Sequence, residues 1–258
     1  MIGIRELIKA PDNCLILSLD FSQIELRVGA FYCRDRKMLN AYRHNEDLHA
    51  ITTSVIFDIP IEEATNKQFE DYKERRTVAK NVNFGICYGL YPRRLQEILS
   101  DAGIEKTQDE CEIIIENINS EYRGLAIWQN RTKKEAEKRQ YSESWLGRRR
   151  YLSDITATEF KKKSSAERQA LNHPIQATAS DIIKLAMVRI LNGLPDREWL
   201  KPIMQIHDEL VFVIPQDMLE EAVSFVRACM EEKPFDGFDV PLIVDSCAGP
   251  NFGTMKGV

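Results

Sequence analysis

The stretch SLDFSQIELRVGA, residues 18–30, decides how this chain is read. Ahead of it runs Cys14-Leu15-Ile16-Leu17, and residues 14–19 together have the length and apolar character of a short buried strand. Asp20 follows directly. A carboxylate at the end of a buried strand costs free energy unless it is paired or holds a metal. Glu25 and Arg27 come within the next two turns, so charge is concentrated just where the strand ends.

A second acidic pair has the same setting. In IMQIHDELVFVI, residues 203–214, two apolar arms flank His207-Asp208-Glu209, which reads as a hairpin with acids at its turn. If the two strands pair, Asp20 and Asp208 converge. Two carboxylates at sheet ends suit Mg²⁺, which takes hard oxygen ligands and often uses one or two carboxylates plus substrate phosphates. Taken singly, each aspartate is more often a turn residue bonding local backbone N–H groups.

Between these strands the pattern is helical. Residues 22–58 read as mixed but mainly helical, 67–89 as a helix, and 108–140 as helix with a turn at Gly124. LGRRRYL (146–152) reads as a turn between extended pieces, and 159–192 as a long helix interrupted at Pro174. An amphipathic helix over 216–232 and a last strand in VPLIVDSCAG (240–249) complete the chain. Strands lie near both ends and helices fill the middle, which predicts a mixed α+β fold.

The 258 residues are 43% hydrophobic and 29% charged, the balance of a globular chain of one large or two modest domains. No apolar run reaches the length of a membrane span and no leader-like segment opens the sequence, which argues against a membrane role and export. Cys14, Cys33, Cys87, Cys111, Cys229 and Cys247 are too scattered for a zinc site or redox pair and read as thiols of a reducing compartment. The net charge of −5 hides an uneven distribution. Residues 131–168 carry 12 Lys/Arg against 6 Asp/Glu, whereas 208–240 carry 2 against 9. That contrast fits a polyanion groove beside a cation site, although on charge alone two ordinary solvated helix faces are the better reading.

RRTVAKNVNFGICYG (75–89) is more specific. Arg76, Lys80, Phe84 and Tyr88 recur at a spacing of four and form one drifting helical stripe, two cations followed by two aromatics. Such a stripe can hold a triphosphate at one end and stack a base or sugar at the other. The plainer alternative is an amphipathic helix with its aromatics in the core. Gly85 and Gly89 weaken that alternative, since they cost helix stability and leave room near the backbone. Arg168, Asn172 and Gln176 make a further stripe around Pro174. Donors of this kind suit the minor groove, where base pairs present similar acceptors, although taken alone the stripe reads better as a solvated helix face.

Taken together these segments resemble family A DNA polymerases, the class of bacterial polymerase I and many phage replicative enzymes. DFSQIELR resembles the family's motif A, RTVAKNVNFGICYG its motif B, and QIHDELVF its motif C. ERQALNHPIQATASDIIK resembles the palm helix between B and C, LGRRRYL a further family element, and DLHAITT (47–53) the segment between A and B. The resemblance runs from about Ile4 to Gly249 in the family's order. It implies an antiparallel palm sheet flanked by helices, with a mainly helical fingers subdomain inserted. The expected division is palm at 1–31, fingers at 32–152 with the motif B helix near 70–89, and palm again at 153–258.

The resemblance also implies roles. Asp20, Asp208 and the backbone carbonyl of Phe21 would hold two Mg²⁺ ions, with Mn²⁺ as a substitute. Glu209 would be the accessory acid and His207 its neighbour at the primer end. Arg76 and Lys80 would hold the incoming dNTP, with Lys80 the proton donor to pyrophosphate. Phe84 would lie against sugar and base, and Tyr88 would bond Glu25, the gate against a ribose 2′-OH. Gln23 would lie near the triphosphate. Arg168, Asn172, Gln176 and Arg148 would contact primer–template DNA. The reaction implied is addition of dNMP to a primer 3′-OH in the cytoplasm of a bacterial or phage-infected cell.

Some positions depart from the family pattern. Phe21 stands where Tyr is commoner, Val213 where relatives often carry an acid, and YRG (122–124) where Tyr-Pro-Gly is common. The ending NFGTMKGV lacks the usual histidine. The thumb and exonuclease domains of the family have no counterpart here, so the chain is expected to be either a fragment or one chain of a split, phage-type enzyme whose partner polypeptide bears them. Three rival readings remain. One is a single-subunit RNA polymerase, which Glu25 disfavours. Another is a non-catalytic DNA-binding or assembly module. The last is a general metal phosphoesterase, whose chemistry gives the Phe84/Tyr88 stripe no purpose.

Overall fold

The computed structural model describes residues 3–258. The chain divides into two compact units, one formed by the segment up to Ile24 with Ala179–Val258, the other by Glu25–Thr178.

The first unit is built on a five-stranded antiparallel sheet. Its strands are β1 (Cys14–Phe21), β4 (Lys201–Ile206), β5 (Glu209–Pro215), β6 (Val244–Gly249) and β7 (Lys256–Gly257), while β2 (Tyr141–Glu143) and β3 (Arg149–Tyr151) pair with each other in the other unit. The order is β4-β5-β1-β6-β7, so the strand read first in the sequence lies at the centre. That position explains the unbroken burial from Ile16 to Leu19, because a central strand is covered on both faces. Leu17, Leu19 and Phe21 share one face with Phe212 and Ser246, and α10 (Leu219–Glu231) packs on these strands. Arg227 of α10 donates to Ser246 Oγ at 2.7 Å. On the opposite face Ile16 meets Val211 and Phe252, with Ile8, Ala10 and Met255 packed beside them. This cover does not extend to the end of the strand. Asp20 is exposed although Leu19 and Phe21 on either side are buried. The desolvation cost expected from sequence is therefore largely avoided, because the sheet face opens to solvent at that residue.

The second unit is mainly helical: α1 (Ile24–Cys33), α2 (Arg36–Arg43), α3 (Leu48–Phe57), α4 (Ile61–Thr65), α5 (Tyr72–Cys87), α6 (Pro92–Asp101), α7 (Gln108–Glu121) and α8 (Arg123–Arg139), with the first half of α9 (Phe160–Gly193). α3 packs on α5 through a buried polar network. Asn83 Nδ2 donates to His49 Nδ1 at 2.8 Å, Thr52 Oγ1 donates to Asn83 Oδ1 at 2.6 Å, and Thr52 also meets the Tyr122 hydroxyl at 3.1 Å. Burial lowers the pKa of His49 to about 4, against the pull of Asp47 and with Arg76 and Lys80 adding to the shift. The imidazole is thus buried neutral. Below pH 6.5 the unfolded chain takes up a proton that the folded one refuses until about pH 4. Stability should fall across that window by on the order of 3 kcal/mol, and the melting temperature with it. H49Q should flatten the fall, as read by thermal melts from pH 7 to 4.

Two sequence expectations are corrected here. The helix over 159–192 does not break at Pro174, since α9 runs continuously through it. Proline lacks the N–H that would bond the Ala170 carbonyl. Ser142 Oγ of β2 donates to that carbonyl instead, at 2.8 Å, so the buried acceptor is satisfied. Gly124 is not a turn residue but lies inside α8, and the chain turns at Tyr122. A Cβ at Gly124 would come within 2.7 Å of the Asp35 backbone, and its N–H donates to Asp35 Oδ2 at 2.8 Å. The glycine is there for close approach.

Candidate active site

In the first unit the acids gather at one end of the sheet. Asp20 is the register partner of Glu209 on β5 and of Asp245 on β6. Directly opposed residues project to the same face, so Glu209, Asp20 and Asp245 form a row of carboxylates across three strands. Glu209 is held from below by Ser18 Oγ, which donates to its carboxylate. Asp208 lies in the β4–β5 turn, where its carbonyl accepts from the Phe21 N–H at 3.4 Å. The turn takes a left-handed residue, His207, at φ 54°, and Gln23 at the β1–α1 junction has φ 56°. Residues other than glycine adopt that region uncommonly, so a sharp backbone turn marks the loop on either side of the acids.

Asp20 and Asp208 offer carboxylate oxygens, and β1 ends with the Phe21 carbonyl. Among the described residues no three His, Cys, Asp or Glu side chains are gathered closely enough to hold a metal unaided. Oxygen donors of this kind suit Mg²⁺, which keeps waters and substrate phosphates in its shell. Asp245 went unnoticed in the sequence, because only the strand register reveals that it neighbours Asp20.

In the second unit α5 carries the cation–aromatic stripe. Val78, Ala79, Val82, Asn83 and Ile86 form its buried face. Lys80 is exposed, whereas Arg76, Phe84 and Tyr88 are half-buried. Arg76 Nη1 donates to the Asp47 carboxylate. Among the described residues Lys80 makes no ion pair. The helix ends at Cys87, with Tyr88 as its cap. The Tyr88 hydroxyl donates to the Glu25 carboxylate, as expected from the sequence. Burial raises the phenol pKa first, and the neighbouring Glu25 carboxylate raises it further. Gln176 hydrogen-bonds the same phenol. Gly85 leaves no room for a ligand, since a Cβ there would come within 2.9 Å of Leu90. Gly89 takes φ +80° and closes the helix end.

Arg168, Asn172 and Gln176 lie on α9, with the Arg168 guanidinium 5.9 Å from the Tyr91 ring centre. Among the described residues Asn172 Oδ1 is buried without a hydrogen-bond partner, an acceptor that a donor from outside could satisfy. Arg148 is exposed on the β2–β3 hairpin, which is tied to α9 by a 2.9 Å contact between its carbonyl and His173 Nε2. All six cysteines are free thiols.

Known proteins resemble the chain over almost its whole length. The family model described as DNA polymerase family A matches residues 1–254. DNA polymerase I of Pseudomonas aeruginosa is 34% identical over 250 residues, 96% of this chain and 26% of that protein. The thermostable DNA polymerase I of Thermus filiformis is 36% identical over 258 residues, 98% of this chain and 29% of that protein. The chain therefore spans between a quarter and a third of these relatives. Among solved structures, the POL domain of Pol1 from M. smegmatis, in complex with DNA primer-template and dNTP, superposes with a TM-score of 0.84 at 31% identity, covering 96% of this chain and 42% of that one. Among the described residues no helix is long and apolar enough to cross a membrane.

Proposed function

The chain belongs to DNA polymerase family A, and on that premise we propose that it carries the palm and fingers of a DNA-directed DNA polymerase that adds dNMP to a primer 3′-OH. The observation that carries this reading is the Tyr88–Glu25 hydrogen bond at the end of the helix bearing Arg76 and Lys80. It joins a phosphate-binding stripe to a carboxylate placed to exclude a 2′-hydroxyl. A general phosphoesterase has no use for that pairing, and an RNA polymerase would be hindered by it.

The sheet unit serves as palm and the helical unit carries the fingers. Arg76 and Lys80 hold the triphosphate by charge-assisted hydrogen bonds. Phe84 lies against the sugar and base, and Gln23 near the triphosphate. Arg168, Asn172, Gln176, His207 and Arg148 contact the primer–template. Asp20, Asp208 and the Phe21 carbonyl would hold two Mg²⁺ ions, with Glu209 beside them; when bound, these supply charge neutralisation to the reacting oxygens. The 3′ oxygen attacks the α-phosphorus in line as its proton passes to solvent water. The bond to the β-phosphate oxygen breaks, and Lys80 gives a proton to the departing pyrophosphate.

Primer extension on a primed DNA template, with Mg²⁺ and the four dNTPs, tests the reading. Extension by this chain supports it. A folded chain that binds primer–template without extending it favours a second reading, an assembly module that needs a thumb- and exonuclease-bearing polypeptide. The M. smegmatis polymerase chain is more than twice as long as the part matched here. Rescue by a thumb-bearing fragment would then identify the missing component. A further expectation concerns Phe84. F84Y adds a hydroxyl able to stand in for an absent 3′-OH and should ease dideoxynucleotide incorporation about tenfold relative to dNTPs. Unchanged competition between ddTTP and dTTP would remove Phe84 from the sugar.

A further inference from the structure

Asp47 was given no role by the sequence, yet it touches the one arginine of the phosphate-binding stripe. It is the N-cap of α3, and its Oδ1 accepts the His49 N–H at 3.0 Å. Its other oxygen, Oδ2, accepts from Arg76 Nη1. About a third of each side chain is exposed, so the pair lies at the surface where a ligand can reach it. Behind it, His49 and Asn83 tie α3 to α5 at 2.8 Å, and Asn83 is further fixed by Thr52.

We propose that Asp47 is the positioning residue for Arg76, aiming its guanidinium at the phosphates of an incoming nucleotide. This inference rests on the reading of Arg76 as a triphosphate ligand. A guanidinium is a planar fork of five donors, so holding one nitrogen sets the direction of the rest. Only Nη1 is taken by Asp47, leaving the remaining donors of the fork for phosphate oxygens. The carboxylate is itself held by the α3 N-terminus, so its place is set before a ligand arrives. Its negative charge is balanced there by the helix dipole, which softens repulsion of an anionic ligand. A carboxylate that merely competed with phosphate would need neither the cap bond nor the locked network behind it.

The contrasting role is a helix cap alone, and D47N separates the two. Asparagine caps a helix as well as aspartate does but lacks the charge that grips Arg76. The dissociation constant for dTTP in Mg²⁺ buffer, by calorimetry, should rise about tenfold in D47N while the melting temperature stays near wild type. In an R76A background, D47N should add nothing further. Unchanged dTTP affinity in D47N, tighter binding, or an equal loss in the R76A background would each overturn the positioning role. D47E, which keeps the charge, should recover most of the affinity even if it weakens the cap. If R76A itself leaves dTTP binding unchanged, the assignment of Arg76 fails. If R76A weakens binding and D47N does not, only the role of Asp47 fails.

Discussion

Replacing Asp208 with alanine is expected to abolish primer extension, by about a thousandfold or more, while primer–template affinity stays within about twofold of wild type. A thousandfold corresponds to about 4 kcal/mol of transition-state stabilisation, in the range for losing a group that neutralises charge at a reacting centre. The fold should survive. Asp208 occupies the β4–β5 turn, and its backbone carbonyl accepts from the Phe21 N–H, a bond that alanine retains. Asp20→Ala should behave alike, since Asp20 is exposed and its strand is held by Leu17 and Leu19. Single-turnover incorporation, with gel-shift binding alongside, checks both. Persistent incorporation in either variant would remove that carboxylate from the metal set. A joint loss of binding and activity would instead mark it as a DNA contact.

The second large effect is expected at Glu25. E25A should relax discrimination between dNTP and rNTP by about a hundredfold, read as the ratio of kcat/KM values, through faster ribonucleotide entry. Glu25 is half-buried and fixed by the Tyr88 hydroxyl, so its carboxylate cannot swing aside for a 2′-OH. Y88F keeps the ring and removes that restraint, and should relax sugar selection less, by about tenfold. E25A also removes the Tyr88 hydroxyl's carboxylate acceptor and leaves Gln176 as its partner, so a loss of about 1 kcal/mol in stability should accompany it. Unchanged sugar selection in both variants would leave the Tyr88–Glu25 pair with a purely structural role.

The features legible in the sequence were those set by local pattern. The strand before Asp20, the hairpin around His207 and Asp208, and the stripe on α5 follow from periodicity and turn chemistry that act over a few residues. Features that depend on partners remote in sequence were not legible. Pro174 looked like a helix break because its compensation, Ser142 Oγ on the Ala170 carbonyl, comes from another element. Gly124 looked like a turn because nothing nearby announces that Asp35 presses against it. Gly85 seemed to open space that Leu90 fills. Asp47 carried a local signal, an aspartate before an apolar helical run, which predicts a cap; its bond to Arg76 depends on how α3 packs on α5.

The placement of β1 at the centre of its sheet also sets a timetable for making the protein. β1 is complete once Phe21 has been synthesised, but its neighbours β5 and β6 begin only at Glu209 and Val244. At ribosomal speeds of about 5–20 residues per second, roughly 10–40 s pass before the first of those strands emerges. Through that interval the Leu15–Leu19 segment, rich in strand-forming apolar residues, has no native strand to pair with. Residues 25–178, by contrast, draw on contacts within their own span and can fold while translation continues. Nascent chains stalled before residue 209 should therefore hold a folded helical unit and a protease-sensitive N-terminal segment that binds chaperones. The same central strand that carries Asp20 is thus the segment most in need of protection at birth.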